Sequence, residues 1–141
     1  MREYDNFTLN RKPLLMGSLV AVYGTLKAGF GNHFRCGMTT QAELVDTDTI
    51  PGVLLHLGGF PGFVPEMDGE EPGPVTVEVY RLLDNEIGRR LDQLEGYDPN
   101  RDDNGFYTRR TTTTHKGYEV DTYVYERLSN TYPRISSGCY A

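Results

Sequence analysis

The chain has 141 residues, of which 38% are hydrophobic and 24% are charged. This length suits one domain with a single core, and the composition is neither polar enough for disorder nor apolar enough for a membrane protein. The formal net charge is -6, and Arg89-Arg90 and Arg109-Arg110 are short pairs that we interpret as parts of solvated faces. Because nucleic-acid binding needs clustered Lys and Arg, we expect no nucleic-acid partner.

Localisation and metal chemistry follow from two further patterns. No apolar run approaches the roughly 20 residues that span a bilayer, and residues 1–12 lack an apolar stretch behind a basic start. We therefore expect a cytoplasmic protein that does not bind membranes. Cys36 and Cys139 have no CxxC spacing and no His pair nearby, so neither a disulfide framework nor a zinc site is predicted.

The first predicted elements lie in the N-terminal half. Residues 1–17 are polar and weakly patterned, and we interpret them as a loosely held arm that precedes one domain over residues 18–141. An apolar run over residues 18–23, closed by Gly24, predicts a buried strand. A second strand is expected over residues 41–47.

Glycine and proline recur between Pro51 and Pro74, which excludes a long helix there. Short strand fragments are expected at residues 53–55 and 60–64, joined by tight turns. Residues 75–80 alternate between valine and polar or aromatic side chains, which is the clearest strand pattern of the chain.

One helix is predicted, with Asp84 as its N-cap and Glu95 in its last turn. Ile87, Leu91 and Leu94 have the i, i+4, i+7 spacing of one apolar stripe, and Gly96 provides a stop signal. After it, residues 105–114 and 118–127 are rich in Tyr, Thr and Val and predict a β-hairpin. We expect an α+β, mostly β domain.

The loop Tyr23-Gly24-Thr25-Leu26 is the first candidate for chemistry. It lacks the Gly-Lys-Ser/Thr ending of a phosphate-binding P-loop, and the glycines that follow do not complete a dinucleotide fingerprint. Gly24 could instead let the backbone turn sharply and present consecutive N–H groups to a carboxylate or a developing oxyanion. Glycine at a strand end is also routine in turns without function, so the loop alone leaves both interpretations open.

Glu95 is the second candidate. The helix C-terminus and partial burial beside Leu91 and Leu94 would both disfavour its charged form, which would raise its pKa towards the range useful for proton transfer. A Glu at this position is also common on surfaces. Asp92 and Asp98 are competing acids.

Other titratable or polar residues carry weaker signals. His33, His56 and His115 lie in different segments without a nucleophile elbow, so a Ser-His-Asp arrangement has no support. Of the three, His33 has the best position, near the glycine-rich loop. Tyr107 follows the helix and could point its hydroxyl into a pocket.

Together these residues resemble the γ-glutamyl cyclotransferase-like family, also called AIG2-like. The motifs that carry the resemblance are Val20-Ala21-Val22-Tyr23-Gly24-Thr25-Leu26-Lys27 with Gly29 and Asn32-His33, Leu91-Asp92-Gln93-Leu94-Glu95-Gly96-Tyr97, Phe106-Tyr107-Thr108-Arg109, and Ser137-Gly138-Cys139-Tyr140. Their order and spacing match from about residue 18 to residue 140. The residues of the first motif are most similar to those of the γ-glutamylamine cyclotransferase branch.

The resemblance implies a small mixed or antiparallel β-barrel with one or two flanking helices. It implies that the loop at Tyr23, Gly24, Thr25 and Leu26 binds the γ-glutamyl group and that Glu95 is the catalytic acid and base. The implied reaction needs no metal or cofactor: the α-amine of a γ-glutamyl amine or peptide attacks the γ-amide carbonyl, forms 5-oxoproline and releases an amine or amino acid.

Some alternatives stay open at this point. The acidic loop over residues 97–105 is longer than expected, so the leaving group is undetermined. A non-catalytic module that binds a small ligand or a protein is the second hypothesis, because relatives that share a fold differ in function. The sequence identifies no protein partner.

Overall fold

A curled β-sheet forms the body of the computed structural model, which describes residues 3–24, 27, 29–32, 37–102, 105–127 and 132–140. In this part of the chain the sheet has seven strands in the order β1-β6-β7-β2-β5-β3-β4. The strands are Thr8–Leu9 (β1), Leu19–Val22 (β2), Ala42–His56 (β3), Pro61–Val64 (β4), Gly73–Leu82 (β5), Tyr107–Thr113 (β6) and Glu119–Tyr125 (β7). The helices Met38–Gln41 (α1) and Glu86–Glu95 (α2) flank it.

The sheet is mixed and closes partway into a barrel. β2 runs parallel to β7, and the other strand pairs are antiparallel. Gly62 of β4 packs against Tyr125 of β7 so closely that a Cβ atom at Gly62 would lie 3.1 Å from the tyrosine Cβ. The predicted mostly β fold with flanking helices is confirmed, in the form of a half-barrel.

The strand predictions at β2, β5 and the β6–β7 hairpin are confirmed within a few residues of their ends. The prediction of separate strands at residues 41–47 and 53–55 is wrong, because β3 runs without a break through Pro51. β5 pairs along most of its length and places Pro74 opposite Pro51. The two missing N–H donors therefore fall on one rung of the ladder, which keeps the pairing intact on either side.

Helix α2 follows its predicted bounds, with two differences. Asp84 lies one residue before the N-cap, and its Oδ1 accepts hydrogen bonds from the backbone N–H groups of Glu86 (2.9 Å) and Ile87 (3.0 Å). Gly96 ends the helix in the left-handed conformation with φ of 70°. The predicted single stripe is wrong at Leu94, which is 42% exposed. Asp92, which is buried, faces the sheet instead.

The N-terminal segment is packed, which corrects the expectation of a loosely held arm. Tyr4, Phe7 and Leu14 are buried, and β1 pairs with β6. At Gly88 of α2 a Cβ atom would lie 2.5 Å from the Leu14 Cβ, so the segment crosses the helix in direct contact. The absence of a side chain at Gly88 is what permits this crossing.

Arg109 and Arg110 are buried, so the interpretation of this pair as a solvated face is wrong. Adjacent strand residues point to opposite faces, and each arginine has its own carboxylate: Asp92 at 2.8 Å for Arg109 and Glu126 at 2.8 Å for Arg110. Pairing makes their burial possible. No helix in the described residues is long and apolar enough to cross a membrane.

Candidate active site

A cavity of about 430 Å³ opens where the end of β2, the end of α2 and the start of β6 meet. This volume suits a small organic ligand. The residues on its wall come from several elements: Ala21, Val22, Tyr23, Gly24, Asn32, Gly59, Phe60, Pro61, Gln93, Leu94, Glu95, Gly96, Phe106, Tyr107 and Tyr123. The sequence candidates Tyr23, Gly24, Glu95 and Tyr107 are thus brought together.

Glu95 is the last residue of α2 and lies on the cavity wall. Its side chain keeps some surface open to the cavity but is otherwise surrounded by protein, and no described group donates a hydrogen bond to its carboxylate. Burial, and then the negative charge of Asp92 one turn earlier, raise the pKa of Glu95 from 4.5 to about 7. The expected upward shift is present, and its larger cause is burial.

The two competing acids are placed differently. Asp92 accepts hydrogen bonds from Arg109 Nε (2.8 Å), Arg109 Nη2 (3.1 Å) and the Tyr123 hydroxyl (2.7 Å). Asp98 is exposed, and its Oδ1 accepts a hydrogen bond from the backbone N–H of Asn100 at 2.9 Å. Of the three carboxylates, only that of Glu95 lines this cavity, and no group in the described part of the chain donates a hydrogen bond to it.

Three tyrosines form a rigid part of the wall. The hydroxyl of Tyr23 donates to the Tyr123 carbonyl at 2.7 Å, and that of Tyr107 donates to the Pro61 carbonyl at 2.9 Å. Burial raises the pKa of Tyr23, Tyr107 and Tyr123, and the Glu95 charge adds to the shift at each. These hydroxyls therefore stay protonated at neutral pH, and their oxygens retain lone pairs for a ligand donor.

The strand-end loop is held in place at Gly24 and at Lys27. A Cβ atom at Gly24 would lie 2.7 Å from the Pro61 Cγ, so only glycine lets β2 end this close to the 57–61 turn. The backbone N–H of Lys27 donates to the Gly24 carbonyl at 2.9 Å, which closes a turn. Thr25 and Leu26 lie outside the described residues.

Lys27 ties this loop to the C-terminal segment. Its side chain is buried, and Nζ donates to the Tyr140 carbonyl at 2.7 Å and lies 3.7 Å from the Cys139 Sγ. The Tyr140 hydroxyl donates to the Gly59 carbonyl at 3.1 Å. Lys27 and Tyr140 therefore connect two loops that contribute to the cavity wall.

The remaining sequence candidates lie elsewhere. His56 and His115 are exposed and do not line the cavity. His33 and Cys36 fall outside the described residues, and Cys139 has a free thiol. Within the described ranges no three His, Cys, Asp or Glu side chains are grouped so as to hold a metal ion.

Sequence reasoning missed part of the wall. Tyr123 lies opposite Arg109 in the β6–β7 ladder, and the alternation of the predicted hairpin could have placed it on the same face as Tyr107. Phe60 ends a Gly-rich turn and Pro61 begins β4, and the local pattern there carries no signal for a distant partner. Their place depends on the pairing of β4 with β3.

A larger cavity of about 700 Å³ runs along α2, between residues 13–15 and 97–100. Its lining includes Asp92, whose carboxylate is already bound by Arg109 and Tyr123. It contains neither Glu95 nor the end of β2. Size alone therefore does not identify the site, and the smaller cavity holds the available acid.

Comparison with known proteins identifies the family and the fold of the chain. A family model described as "Gamma-glutamyl cyclotransferase, AIG2-like" matches residues 20–141. A similar crystal structure is that of an AIG2-like protein from Mus musculus, with 20% identity, a TM-score of 0.62, and coverage of 84% of this chain and 85% of that one. An uncharacterized protein from Pyrococcus horikoshii has 24% identity, a TM-score of 0.64, and coverage of 86% and 88%.

The same fold occurs inside a larger enzyme. Allophanate hydrolase from Kluyveromyces lactis matches with 15% identity and a TM-score of 0.62 over 86% of this chain but only 20% of its own. At these identities the solved structures establish the fold alone. A search of curated protein sequences gives no match.

Proposed function

Because the chain belongs to the AIG2-like γ-glutamyl cyclotransferase family, we propose that it is an enzyme that converts a γ-glutamyl amine or peptide to 5-oxoproline. The observation that carries this proposal is the Glu95 carboxyl, which has a pKa of about 7 and shares a cavity with Gly24. Glu95 is the proposed catalytic residue. Tyr23, Gly24, Thr25, Leu26 and Tyr107 are the proposed substrate-binding residues.

The proposed reaction is an intramolecular acyl transfer. The free α-amine of the substrate attacks its own γ-carbonyl carbon, a C–N bond forms to close a five-membered ring, and the original amide C–N bond breaks. No water is consumed, and the products are 5-oxoproline and an amine. Because nucleophile and electrophile belong to one molecule, the cavity has only to hold the substrate in a folded shape.

Glu95 moves the proton in this scheme. Its carboxylate takes a proton from the attacking nitrogen and returns it to the leaving nitrogen, which otherwise would depart as an unstable amide anion. A group with a pKa of about 7 is half ionised at neutral pH and suited to both steps. The absence of a described hydrogen-bond donor to this carboxylate leaves it available to the substrate amine.

The strand-end loop and the tyrosines position the substrate. Backbone N–H groups of the loop stabilise the negative charge that forms on the carbonyl oxygen, a contribution that costs about 2.7 to 4 kcal/mol when one donor is removed. Tyr23 and Tyr107 are fixed by hydrogen bonds to backbone carbonyls. Their oxygens can accept hydrogen bonds from the substrate amine without a change of rotamer.

The test is Glu95→Gln, which keeps the shape of the side chain and removes its proton transfer. We expect kcat for 5-oxoproline release from a panel of γ-glutamyl amides to fall by about 10²- to 10⁴-fold. The matched control is Glu86→Gln on the same helix, because Glu86 is exposed and away from the cavity. It should retain full activity.

Three outcomes contradict the proposal. If the purified protein forms 5-oxoproline from no compound in the panel, it is not a cyclotransferase for these substrates. If such compounds bind unchanged and Glu95→Gln alters only their affinity, the protein is a binding module. Full activity of Glu95→Gln would remove Glu95 from its catalytic role.

A further inference from the structure

The outer wall of the cavity is apolar and exposed. Phe60 is 48% exposed, Leu94 42% and Phe106 59%, and all three line the cavity. A single exposed apolar side chain is ordinary on a protein surface. Three of the seven large apolar side chains that are exposed in the described part of the chain nevertheless meet at this one opening, which is typical of a binding surface.

These side chains come from separate elements, so their meeting is a property of the fold. Phe60 precedes β4, Leu94 lies in the last turn of α2, and Phe106 immediately precedes β6. The Phe106 ring stacks on Tyr125 at 6.4 Å between centroids, with an angle of 2° between the ring planes. The Arg127 guanidinium lies 5.4 Å from its centroid. Phe106 is therefore held in place although it is exposed.

The charge of the wall is equally informative. Glu95 is the only charged residue among the described residues that line the cavity. Arg127 contacts Phe106 but is not part of the lining, and its Nε donates to the Gly105 carbonyl at 3.2 Å. A carboxylate on the leaving group would lose water against Phe60, Leu94 and Phe106 and would share the cavity with the like charge of Glu95, which is unfavourable.

From these observations we infer that the leaving group is an amine with an apolar chain, an alkylamine or arylalkylamine, and not an amino acid. The inference rests on the proposed function and assigns the two ends of the substrate to two parts of the cavity. Glu95, the tyrosines and the strand-end loop hold the γ-glutamyl end. Phe60, Leu94 and Phe106 contact the apolar chain of the amine.

Three substrates with the same five-carbon chain test this assignment. They are the γ-glutamyl amides of pentylamine, of 1,5-diaminopentane, and of the lysine ε-amine. The second adds one ammonium group to the chain, and the third adds an ammonium and a carboxylate. We expect kcat/KM for 5-oxoproline release to be highest for the pentylamide and to fall by about tenfold for the lysine compound, and the diamine compound shows how much of this loss the ammonium group alone causes.

The outcomes separate the inference from the proposed function. If none of the three compounds releases 5-oxoproline, the proposed function fails. If 5-oxoproline is released and the lysine compound is used as well as or better than the pentylamide, the inference is wrong and the proposed function stands.

A variant pair adds an independent measurement. Phe106→Ala should lower kcat/KM for the pentylamide by about fivefold to tenfold and leave the γ-glutamyl amide of methylamine nearly unchanged, because that leaving group has no chain to contact Phe106. The control is Leu44→Ala, since Leu44 is 52% exposed and lies outside the cavity. Equal losses on both substrates for Phe106→Ala would contradict the assignment.

Discussion

Asp92 and Glu95 lie one turn apart on α2, and both are removed from bulk water, yet their surroundings differ. The Asp92 region is a paired cluster in which Arg109 and the Tyr123 hydroxyl donate to one carboxylate. The Glu95 region is a cavity whose described residues donate no hydrogen bond to the carboxylate. The charged form is satisfied in the first region and disfavoured in the second, where the pKa rises to about 7.

Burial alone does not make a carboxyl reactive. A buried carboxylate that is fully hydrogen-bonded stabilises the structure. A buried carboxyl without hydrogen-bond donors has a raised pKa, which suits it to proton transfer. The paired cluster also supports the unpaired site, because it fixes the last turns of α2 against β6 and β7. Its charge is the second cause of the raised Glu95 pKa.

The largest expected effect comes from breaking the paired region. Asp92→Asn leaves the Arg109 guanidinium, which is fully buried, without its principal counter-charge. We expect the free energy of unfolding to fall by about 3 to 5 kcal/mol. The pKa of Glu95 should also fall below 7, although burial keeps it above 4.5. Denaturant unfolding measures the first change, and NMR titration of the Glu95 carboxyl carbon measures the second.

Glu86→Gln is the control for this loss of stability. Glu86 also pairs with an arginine on α2, Arg89, but both side chains are exposed. An exposed pair contributes about 0.2 to 1 kcal/mol, so the control should change the free energy of unfolding by less than 1 kcal/mol. A loss as small for Asp92→Asn would show that the buried cluster does not anchor the helix.

The second expected effect concerns Glu95 and is a gain in the free energy of unfolding. Folding raises the Glu95 pKa from 4.5 to about 7, so the folded state binds more protons than the unfolded state between these values, and stability decreases as pH rises through this window. Glu95→Gln removes the cost of a buried charge. We expect the variant to be more stable than the wild type by about 3 kcal/mol at pH 8.

The same comparison at low pH is the control. Near pH 4.5 the folded wild type carries a protonated Glu95, and the cost of its charge is largely absent, so the two proteins should differ little in unfolding free energy. A gain that is equal at both pH values would point to a packing effect of the amide. A loss of stability at pH 8 would contradict the raised pKa.

A smaller effect is expected from Tyr123→Phe. The variant removes the hydroxyl that donates to Asp92 at 2.7 Å and leaves the ring in place. Because a hydrogen bond to a charged group contributes about 1.5 to 3 kcal/mol, the free energy of unfolding should fall by about that amount. Thermal or denaturant unfolding measures it. An unchanged stability would mean that Arg109 alone satisfies the Asp92 carboxylate.

The local sequence pattern predicted helix α2 and the position of Glu95 but not the ion pair between Asp92 and Arg109. The spacing of Ile87 and Leu91 and the stop at Gly96 depend on nearby residues, so α2 and the position of Glu95 could be predicted. Asp92 and Arg109 are 17 residues apart, and nothing in their local sequence distinguishes a buried pair from two surface charges. The failed interpretation of Arg109-Arg110 has this physical cause, since burial is decided by which strand or helix packs on each face.

Lys27 provides an intermediate case and the smallest expected effect. It is 7% exposed, and its described acceptors are the Tyr140 carbonyl and the Cys139 thiol, not a carboxylate. In Lys27→Met the link between the strand-end loop and the C-terminal segment is lost while the apolar stem is retained. The loop would hold the γ-glutamyl group of the bound substrate and also supply N–H groups to the transition state, so KM should rise and kcat should fall, each by about threefold to tenfold. Lys116→Met, which removes an exposed pairing with Asp46 outside the cavity, is the control and should leave both constants as they are. A fall in kcat without a change in KM would mean that Lys27 acts on the transition state alone and not on binding of the substrate.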